Sequence, residues 1–125
     1  MTLVPEDLLY SAEHEWLRVE GDVGIVGITD FAQDQLGDIV YVDLPAVGDS
    51  VESGAVVGEL ESTKSVSDLF SPVSGEVIAR NEALESSAEL INTDPYGEGW
   101  LFKVRPADGT DDLLSPEAYQ SLIAQ

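Results

Sequence analysis

Cysteine is absent from this sequence, and its absence removes several chemistries at once. A disulfide framework, a thiol nucleophile and a thiolate metal site are all excluded. Long apolar runs are also missing, since none approaches the about 18 residues that cross a bilayer. The first residues show neither a secretory signal pattern nor an Arg-rich transit pattern. We therefore expect a cytoplasmic protein with no membrane association.

Positive charge is scarce. Five Lys and Arg residues face 25 Asp and Glu residues, so the formal net charge is −20. Such a chain repels nucleic acids and anionic membranes, because binding to phosphate requires Lys and Arg. The expected partners are proteins with basic surfaces, and their encounters should be sensitive to salt. Solubility or adaptation to a saline habitat explains the composition equally well.

Histidine is nearly absent too, because His14 is the only one. One histidine among carboxylates is a poor basis for a metal site, and no EF-hand spacing occurs. The composition leaves a Ser/His/Asp triad open, but there is no G-x-S-x-G motif and no glycine-rich phosphate loop. Nothing in these residues indicates an enzyme, and the chain alone should turn over no substrate.

Short apolar segments separated by turn residues recur about every ten residues, which is typical of an all-β sandwich or barrel. Residues 14–19 and 23–28 flank the turn sequence EGD and predict a hairpin. The fold class that we expect is all-β, a flattened β-sandwich or half-barrel (a barrel-sandwich hybrid) of two small antiparallel sheets with short peripheral helices. Further strands are predicted in 38–45, 50–62, 66–81 and 100–104.

The chain length suits a single domain, 1–125, with one core. We expect an N-terminal tail (1–13), a β core (14–105), and a loop with a C-terminal helix (106–125). Apolar residues at alternate strand positions are the core candidates. They are Val40, Val42, Leu44, Val57, Leu60, Val66, Val73, Val77, Leu90 and Leu101.

Two short helices are predicted by capping signals. Asp30 is the expected N-cap of the first, which Gly37 ends, and Ser115 followed by Pro116 begins the second. In the second helix, the residues expected to share one apolar face are Ala118, Tyr119, Leu122 and Ile123.

A possible internal repeat is present. Residues 51–57 (VESGAVV) and 84–90 (LESSAEL) carry similar residues in the same order. Unless this match is chance, it predicts two similar β-halves with matching loops around Lys64 and Gly97.

Lys64 is one of only two lysines, and it lies in the acidic stretch ELESTKSVSD. The segments on either side read as two short strands, so Lys64 should be at the tip of a hairpin, where its long side chain can enter a modifying enzyme. Three carboxylates, Glu59, Glu61 and Asp68, could attract a cationic partner. A solvated surface charge without a function is the alternative.

The segment 48–77 resembles the biotinyl/lipoyl carrier domain, in which the modified lysine is at a hairpin tip. Biotin carriers bracket that lysine with methionines, whereas Thr63 and Ser65 flank Lys64 here, which favours lipoate. With HEWLR, GITDFAQDQLGDIVYVDLP and DPYGEGWLFKV added, residues 8–123 resemble the glycine cleavage H-protein family. The residues of the shared carrier frame are Gly48, Asp49, Val51, Gly54, Glu61, Ser62, Lys64, Pro72, Gly75 and Val77.

The resemblance implies a carrier and not an enzyme. Lipoate would be joined covalently to Lys64 by a lipoylating enzyme that recognises Glu61 and Ser62. The P protein, a pyridoxal-phosphate glycine decarboxylase, would load an aminomethyl group. The T protein, an aminomethyltransferase, would pass the methylene to tetrahydrofolate, and the L protein, a dihydrolipoyl dehydrogenase, would reoxidise the arm. A surface cleft with Glu15 and Asp68 would shelter the loaded arm, and the chain would be a monomer.

Three residues depart from the commoner family pattern. Phe31 stands where many members have His, and Thr63 and Ser65 replace Val and Ala beside the lysine. These changes keep the acceptor lysine but affect cleft polarity and partner fit. Two alternatives stay open: an H-like carrier that relays lipoyl groups to other 2-oxoacid dehydrogenase complexes, and an unmodified acidic β interaction module.

Overall fold

The computed structural model describes residues 4–107 and 113–124, and over these ranges the chain is mostly β. Two antiparallel sheets face each other without closing into a barrel, and short helices lie at their edges, so the predicted fold class is confirmed. None of the helices in the described ranges is long and apolar enough to span a membrane. The strands are β1 (Leu9–Tyr10), β2 (Glu15–Glu20), β3 (Val23–Ile28), β4 (Ile39–Asp43), β5 (Ser50–Val51), β6 (Val56–Ser62), β7 (Val66–Phe70), β8 (Gly75–Arg80) and β9 (Phe102–Pro106).

The larger sheet has the strand order β1-β2-β3-β9-β8-β5, and the smaller sheet has the order β4-β6-β7. The predicted hairpin is confirmed, since β2 pairs with β3 from Glu15↔Ile28 to Glu20↔Val23. Helices α1 (Asp30–Leu36), α2 (Leu90–Thr93) and α3 (Pro116–Ile123) and a 3₁₀ turn at Glu82–Glu85 complete the described elements.

The main core fills the space between the two sheets. Five predicted core residues are buried there, and three more, Val42, Val57 and Leu90, are partly buried against them. Val40 and Val66 were predicted wrongly, because they are 53% and 58% exposed. Val40 is the extra residue of a bulge between Ile39 and Tyr41, which shifts the alternation that the prediction assumed. The five confirmed residues are Leu44, Leu60, Val73, Val77 and Leu101.

A second, aromatic cluster lies on the other face of the larger sheet. It is built around Tyr10, Trp16 and Tyr119, which are all fully buried. The Trp16 indole lies over Gly27 on the next strand, where a Cβ would come within 2.5 Å of the ring. This cluster attaches α3 to the sheet, because Tyr10 and Tyr119 stack with their ring centroids 4.7 Å apart.

The start of α1 is one residue earlier than predicted. Thr29, and not Asp30, is the N-cap: its backbone is extended, and its hydroxyl accepts a hydrogen bond from the backbone N–H of Ala32. Asp30 is the first helical residue, and its carboxylate accepts a hydrogen bond from the Gln33 side chain. Gly37 ends the helix with φ of +84°, as predicted.

The start of α3 at Pro116, with Ser115 as its N-cap, is confirmed. The predicted apolar face is only partly correct. Tyr119 is buried and Ile123 packs on the aromatic cluster, but Ala118 and Leu122 are exposed. The last predicted strand is shifted by two residues, to Phe102–Pro106.

Two predictions of chain organisation are corrected. Within the predicted tail, Leu9 and Tyr10 form a strand that pairs with β2, and Leu8 is buried. The segment 84–90 is not a β-half, because it runs through the 3₁₀ turn into α2. Its buried residues Leu84 and Ala88, together with Ile91 just after it, follow helical spacing, which outweighs the sequence match to 51–57.

Candidate functional site

Lys64 lies in the tight turn between β6 and β7, as predicted. The pair Glu61↔Val66 closes the hairpin, and the buried Ser62 hydroxyl accepts hydrogen bonds from the backbone N–H groups of Lys64 (3.2 Å) and Ser65 (3.1 Å). The Ser62 backbone N–H also donates to the Ser65 carbonyl at 2.8 Å. The backbone under Lys64 is therefore fixed, whereas its side chain is exposed.

The aliphatic stem of Lys64 lies against the end of α1. A Cβ added to Gly37 would come 3.1 Å from Lys64 Cε and 3.6 Å from Cδ. Asn92 holds this end of the helix in place, because its side-chain amide donates to the Gly37 carbonyl and accepts from the Ile39 backbone N–H. The Thr63 backbone N–H donates to the Asp38 carbonyl at 3.0 Å. The hairpin tip and the helix end thus form one fixed unit.

A cleft of about 280 Å³ opens beside this unit, between α1, the β6–β7 hairpin and the start of β2. It brings together both residues that were predicted for it, Glu15 and Asp68. Leu36, which is also part of its wall, directly precedes Gly37, the residue against which the Lys64 stem lies. The lining residues are Glu13, His14, Glu15, Ile28, Phe31, Ala32, Gln35, Leu36, Leu60, Ser67 and Asp68.

Glu15 is the buried carboxyl of the cleft, with only 2% of its surface exposed. The Ser11 hydroxyl donates to its carboxyl at 2.6 Å. Burial raises the pKa of Glu15 to about 8, although hydrogen bonds from Ser11 and from the Phe70 backbone act in the opposite direction. A cation that enters the cleft would stabilise the ionised form, so this carboxyl is placed to bind one. Asp68 is exposed and lies at the cleft's outer side.

His14 lies at the turn between β1 and β2, with a left-handed φ of +76°. This conformation costs on the order of 1 kcal/mol for a residue with a Cβ. It is held by hydrogen bonds from the His14 N–H to the Ser11 carbonyl and from the Thr29 N–H to the His14 carbonyl. His14 lines the cleft, and its imidazole contacts the rings of Phe31 and Tyr119.

Glu61 and Ser62, the residues predicted to contact a lipoylating enzyme, differ in their surroundings. Glu61 is exposed, and its cross-strand neighbours Tyr41 and Val66 are exposed too. The Ser62 hydroxyl is engaged in the turn, and only 7% of this residue is exposed. Ser62 therefore shapes the backbone that carries Lys64.

The sequence did not indicate that Ser11, Gly37 and Tyr119 belong to the site. Gly37 was noted only as a helix end, and no local pattern links it to Lys64. Tyr119 is 105 residues from His14 in the chain but hydrogen-bonds to its ring. Within the described ranges, no group of three or more His, Cys, Asp and Glu residues could hold a metal ion.

Two unclosed antiparallel sheets with an exposed lysine on a rigid hairpin turn are the arrangement expected of a carrier protein. The model of the family described as "Glycine cleavage H-protein" matches residues 8–125 of this chain. The glycine cleavage system H protein of Bacteroides thetaiotaomicron is 56% identical over 121 residues, which cover 95% of this chain and 96% of that protein. The one from Rubrobacter xylanophilus is 58% identical over 119 residues, with coverages of 95% and 94%.

This chain is also similar to a solved structure of the same family. The crystal structure of a glycine cleavage system H protein from Mycobacterium marinum is 43% identical, with a TM-score of 0.91. The match covers 98% of this chain and 100% of that one. The chain belongs to the glycine cleavage H-protein family. The predicted function is thereby confirmed: it is the lipoyl-carrier component of the glycine cleavage system and not itself a catalyst.

The raised pKa of Glu15 makes a testable prediction for stability. Folding favours the protonated carboxyl, so this contribution is complete below the unfolded pKa of 4.5 and is lost as the pH rises to about 8. Glu15→Gln keeps the shape without the charge. In urea titrations, the free energy of unfolding of this variant should exceed that of the native chain by about 2 kcal/mol or more at about pH 9, and by far less at about pH 5.

The matched control is Glu61→Gln, which removes one exposed carboxylate from the neighbouring hairpin. This variant measures how much of the change in unfolding free energy comes from removing one negative charge alone. An equal dependence on pH in the two variants would contradict the assignment of a neutral, buried Glu15.

The contact between Lys64 and Gly37 makes a second prediction. Gly37→Ala should displace the lysine stem and shift the NMR signal of Lys64 Cε. Gly54→Ala is the control, because Gly54 has a similar φ of +83° but nothing within 4 Å of an added Cβ. Both variants should lose about 1–2 kcal/mol of stability from backbone strain. Equal Lys64 shifts in the two variants, or none in either, would show that the stem does not lie on Gly37.

Proposed function

We propose that Lys64 is the residue that carries lipoate, through an amide bond to its side-chain nitrogen. The observation that carries the proposal is the position of Lys64, exposed on a fixed turn of the hairpin that also supplies part of the cleft wall. When attached, the lipoyl group supplies the dithiol that takes the aminomethyl group of glycine from the P protein to the T protein and is reoxidised by the L protein. The chain supplies attachment, orientation and shelter.

The residues at the site fit such a group. Lys64 is exposed and forms no ion pair in the described part of the chain, so its amine is available for acylation. The cleft wall combines apolar side chains, such as Leu36 and Leu60, with the carboxyls of Glu15 and Asp68. An aliphatic arm with a cationic amine at its end matches this pattern, because the aliphatic part can pack on the apolar side chains and the amine can face the carboxyls.

Glu15 and Asp68 are proposed to hold the amine of the loaded arm. The cation would draw the Glu15 proton off, because an opposite charge nearby favours the carboxylate. The contact would then be charge-assisted, at a place that is almost closed to water. Excluding water slows the hydrolytic loss of a labile group.

The exposed face of the smaller sheet supports the proposed partners. Tyr41 and Val66 present apolar surface beside the base of the Lys64 turn, and carboxylates surround them. A partner active site that receives the arm would match this face with an apolar centre and a basic rim. We propose that the P, T and L proteins and the lipoylating enzyme approach here, with Glu61 among the contacts. The carboxylates of the face are Asp43, Glu59, Glu61 and Asp68.

Two further expectations stay predictions: the cytoplasmic location and the monomeric state. Relay of lipoyl groups to other complexes would use the same Lys64, and nothing in the site favours it over glycine cleavage. An unmodified interaction module would leave Lys64 unchanged, so the modification test below separates that alternative.

Intact-mass spectrometry tests the proposal. The chain is incubated with a lipoate ligase, lipoate and ATP, and we expect a single lipoyl increment on the native protein. Lys64→Arg should abolish the increment, because Arg keeps the charge but has no acylatable amine. Lys103→Arg is the matched control, since it removes the only other lysine, and it should keep the increment.

A known lipoyl domain in the same reaction shows that the ligase is active. An increment that survives in Lys64→Arg, or no increment on the native chain while the known domain is modified, would overturn the proposal.

A further inference from the structure

The hydroxyl of Tyr119 connects α3 to the wall of the cleft. It lies 2.8 Å from His14 Nδ1 and 2.7 Å from Thr29 Oγ1. His14 lines the cleft, and Thr29 caps α1, which supplies much of the cleft wall. Tyr119 and Thr29 are both fully buried, so solvent does not reach their hydroxyl groups. One side chain from the far end of the chain therefore contacts two elements of the site.

Counting donors and acceptors fixes the direction of these bonds. Thr29 Oγ1 already accepts from the Ala32 N–H, and among the described residues the Tyr119 oxygen is the acceptor within reach of the Thr29 hydroxyl proton. If Thr29 donates to Tyr119, the Tyr119 proton is left to donate to His14 Nδ1. Both hydroxyl protons and the His14 Nδ1 atom then have a hydrogen-bond partner, as buried polar groups do in folded proteins.

The opposite direction leaves a buried proton without an acceptor. If His14 Nδ1–H donated to Tyr119, then either the Tyr119 proton or the Thr29 proton would lack a partner. Leaving a buried donor unpaired is unfavourable. The neutral imidazole that this arrangement requires agrees with its surroundings, because burial lowers the pKa of His14. The ring proton must then be on Nε2.

We propose that Tyr119 is a positioning residue of the arm cleft, which fixes His14 as a neutral ring with Nε2–H as the donor available on the cleft side. The role of the cleft in holding an arm rests on the proposed function, whereas the hydrogen bonds between Tyr119, His14 and Thr29 do not depend on it. None of the described residues accepts a hydrogen bond from Nε2, so an acceptor atom of the arm, its carbonyl oxygen or a sulfur, is the partner that this donor suits.

The roles in the cleft are then divided by charge. An N–H donor cannot bind an ammonium group, so the cationic end of the arm is directed to Glu15 and Asp68, and His14 binds an acceptor further back along the arm. Phe31 shares this wall, with its ring centroid 5.1 Å from that of His14. Because Phe31 has no polar group, His14 is the only residue of this ring pair that can donate a hydrogen bond.

The test uses the ring nitrogens of the unmodified chain. His14 is the only histidine, so both imidazole ¹⁵N signals in a long-range ¹⁵N–¹H spectrum belong to it. In the native chain at neutral pH, we expect Nε2 to be protonated and Nδ1 to show the shift of a hydrogen-bonded acceptor. A protonated Nδ1 would overturn the proposal, and this measurement needs no variant.

Tyr119→Phe removes the hydroxyl and keeps the ring that stacks on Tyr10. The Nδ1 signal should move to the value of a free acceptor, and the Nδ1–H tautomer should gain population. Tyr10→Phe is the matched control, because it removes the other hydroxyl of the same stack, which donates to the Pro5 carbonyl and does not contact His14. Equal shifts in both variants, or unmoved signals in Tyr119→Phe, would overturn the proposal.

This outcome is separate from that of the proposed function. The ring spectra are recorded without lipoate, so they report on Tyr119 even if Lys64 is never modified. Conversely, a lipoyl increment on Lys64 can occur whatever the His14 tautomer is. On the lipoylated chain loaded by the P protein, Tyr119→Phe should lose its aminomethyl group faster than Tyr10→Phe, and equal lifetimes would refute the positioning role.

Discussion

The hydroxyl of Ser62 holds the turn on which the rest of the site depends. By accepting two backbone hydrogen bonds, it closes the β6–β7 hairpin and fixes the Cα of Lys64, while the lysine side chain stays exposed. The end of α1 is fixed against the same turn through Asn92 and Gly37. A shuttle needs this combination, because a rigid base presents the arm at one place and a mobile arm can still visit several enzymes. The small sheet therefore fixes the backbone at Lys64 and leaves the Lys64 side chain exposed.

The carboxyl groups of the site differ in their exposure to solvent. Among the acidic residues of the described ranges, Glu15 is the carboxyl that is almost fully buried, and burial raises its pKa to about 8. The other acidic residues of the site, such as Asp68 and Glu61, are exposed and can steer basic partners from a distance. Below about pH 8, ionisation of Glu15 becomes favourable only when a cation enters the cleft. Under the proposed function, carboxyl groups attract partners at the surface and bind the amine of the arm in the cleft.

Local patterns in the sequence predicted the strands, the hairpin tip and Lys64, because alternation and turn residues act over short distances. The prediction failed where a single backbone detail decided the outcome, as in the bulge that exposes Val40. Glu15 and Asp68 came from the family resemblance, since nothing in their spacing brings them together. Tyr119 could not be predicted from the sequence, because its contact with His14 joins chain segments 105 residues apart through tertiary packing alone.

In the proposed mechanism, the arm on Lys64 places its amine in the cleft beside Glu15. The most direct measurement is a comparison of backbone amide NMR shifts between the unmodified chain and the lipoylated chain after the P protein and glycine have loaded it. Placement of the amine in the cleft predicts that the shifts change at Glu15, Phe31 and Asp68 as well as in the turn around Lys64. Changes confined to that turn would contradict it, because the loaded arm would then lie in solvent.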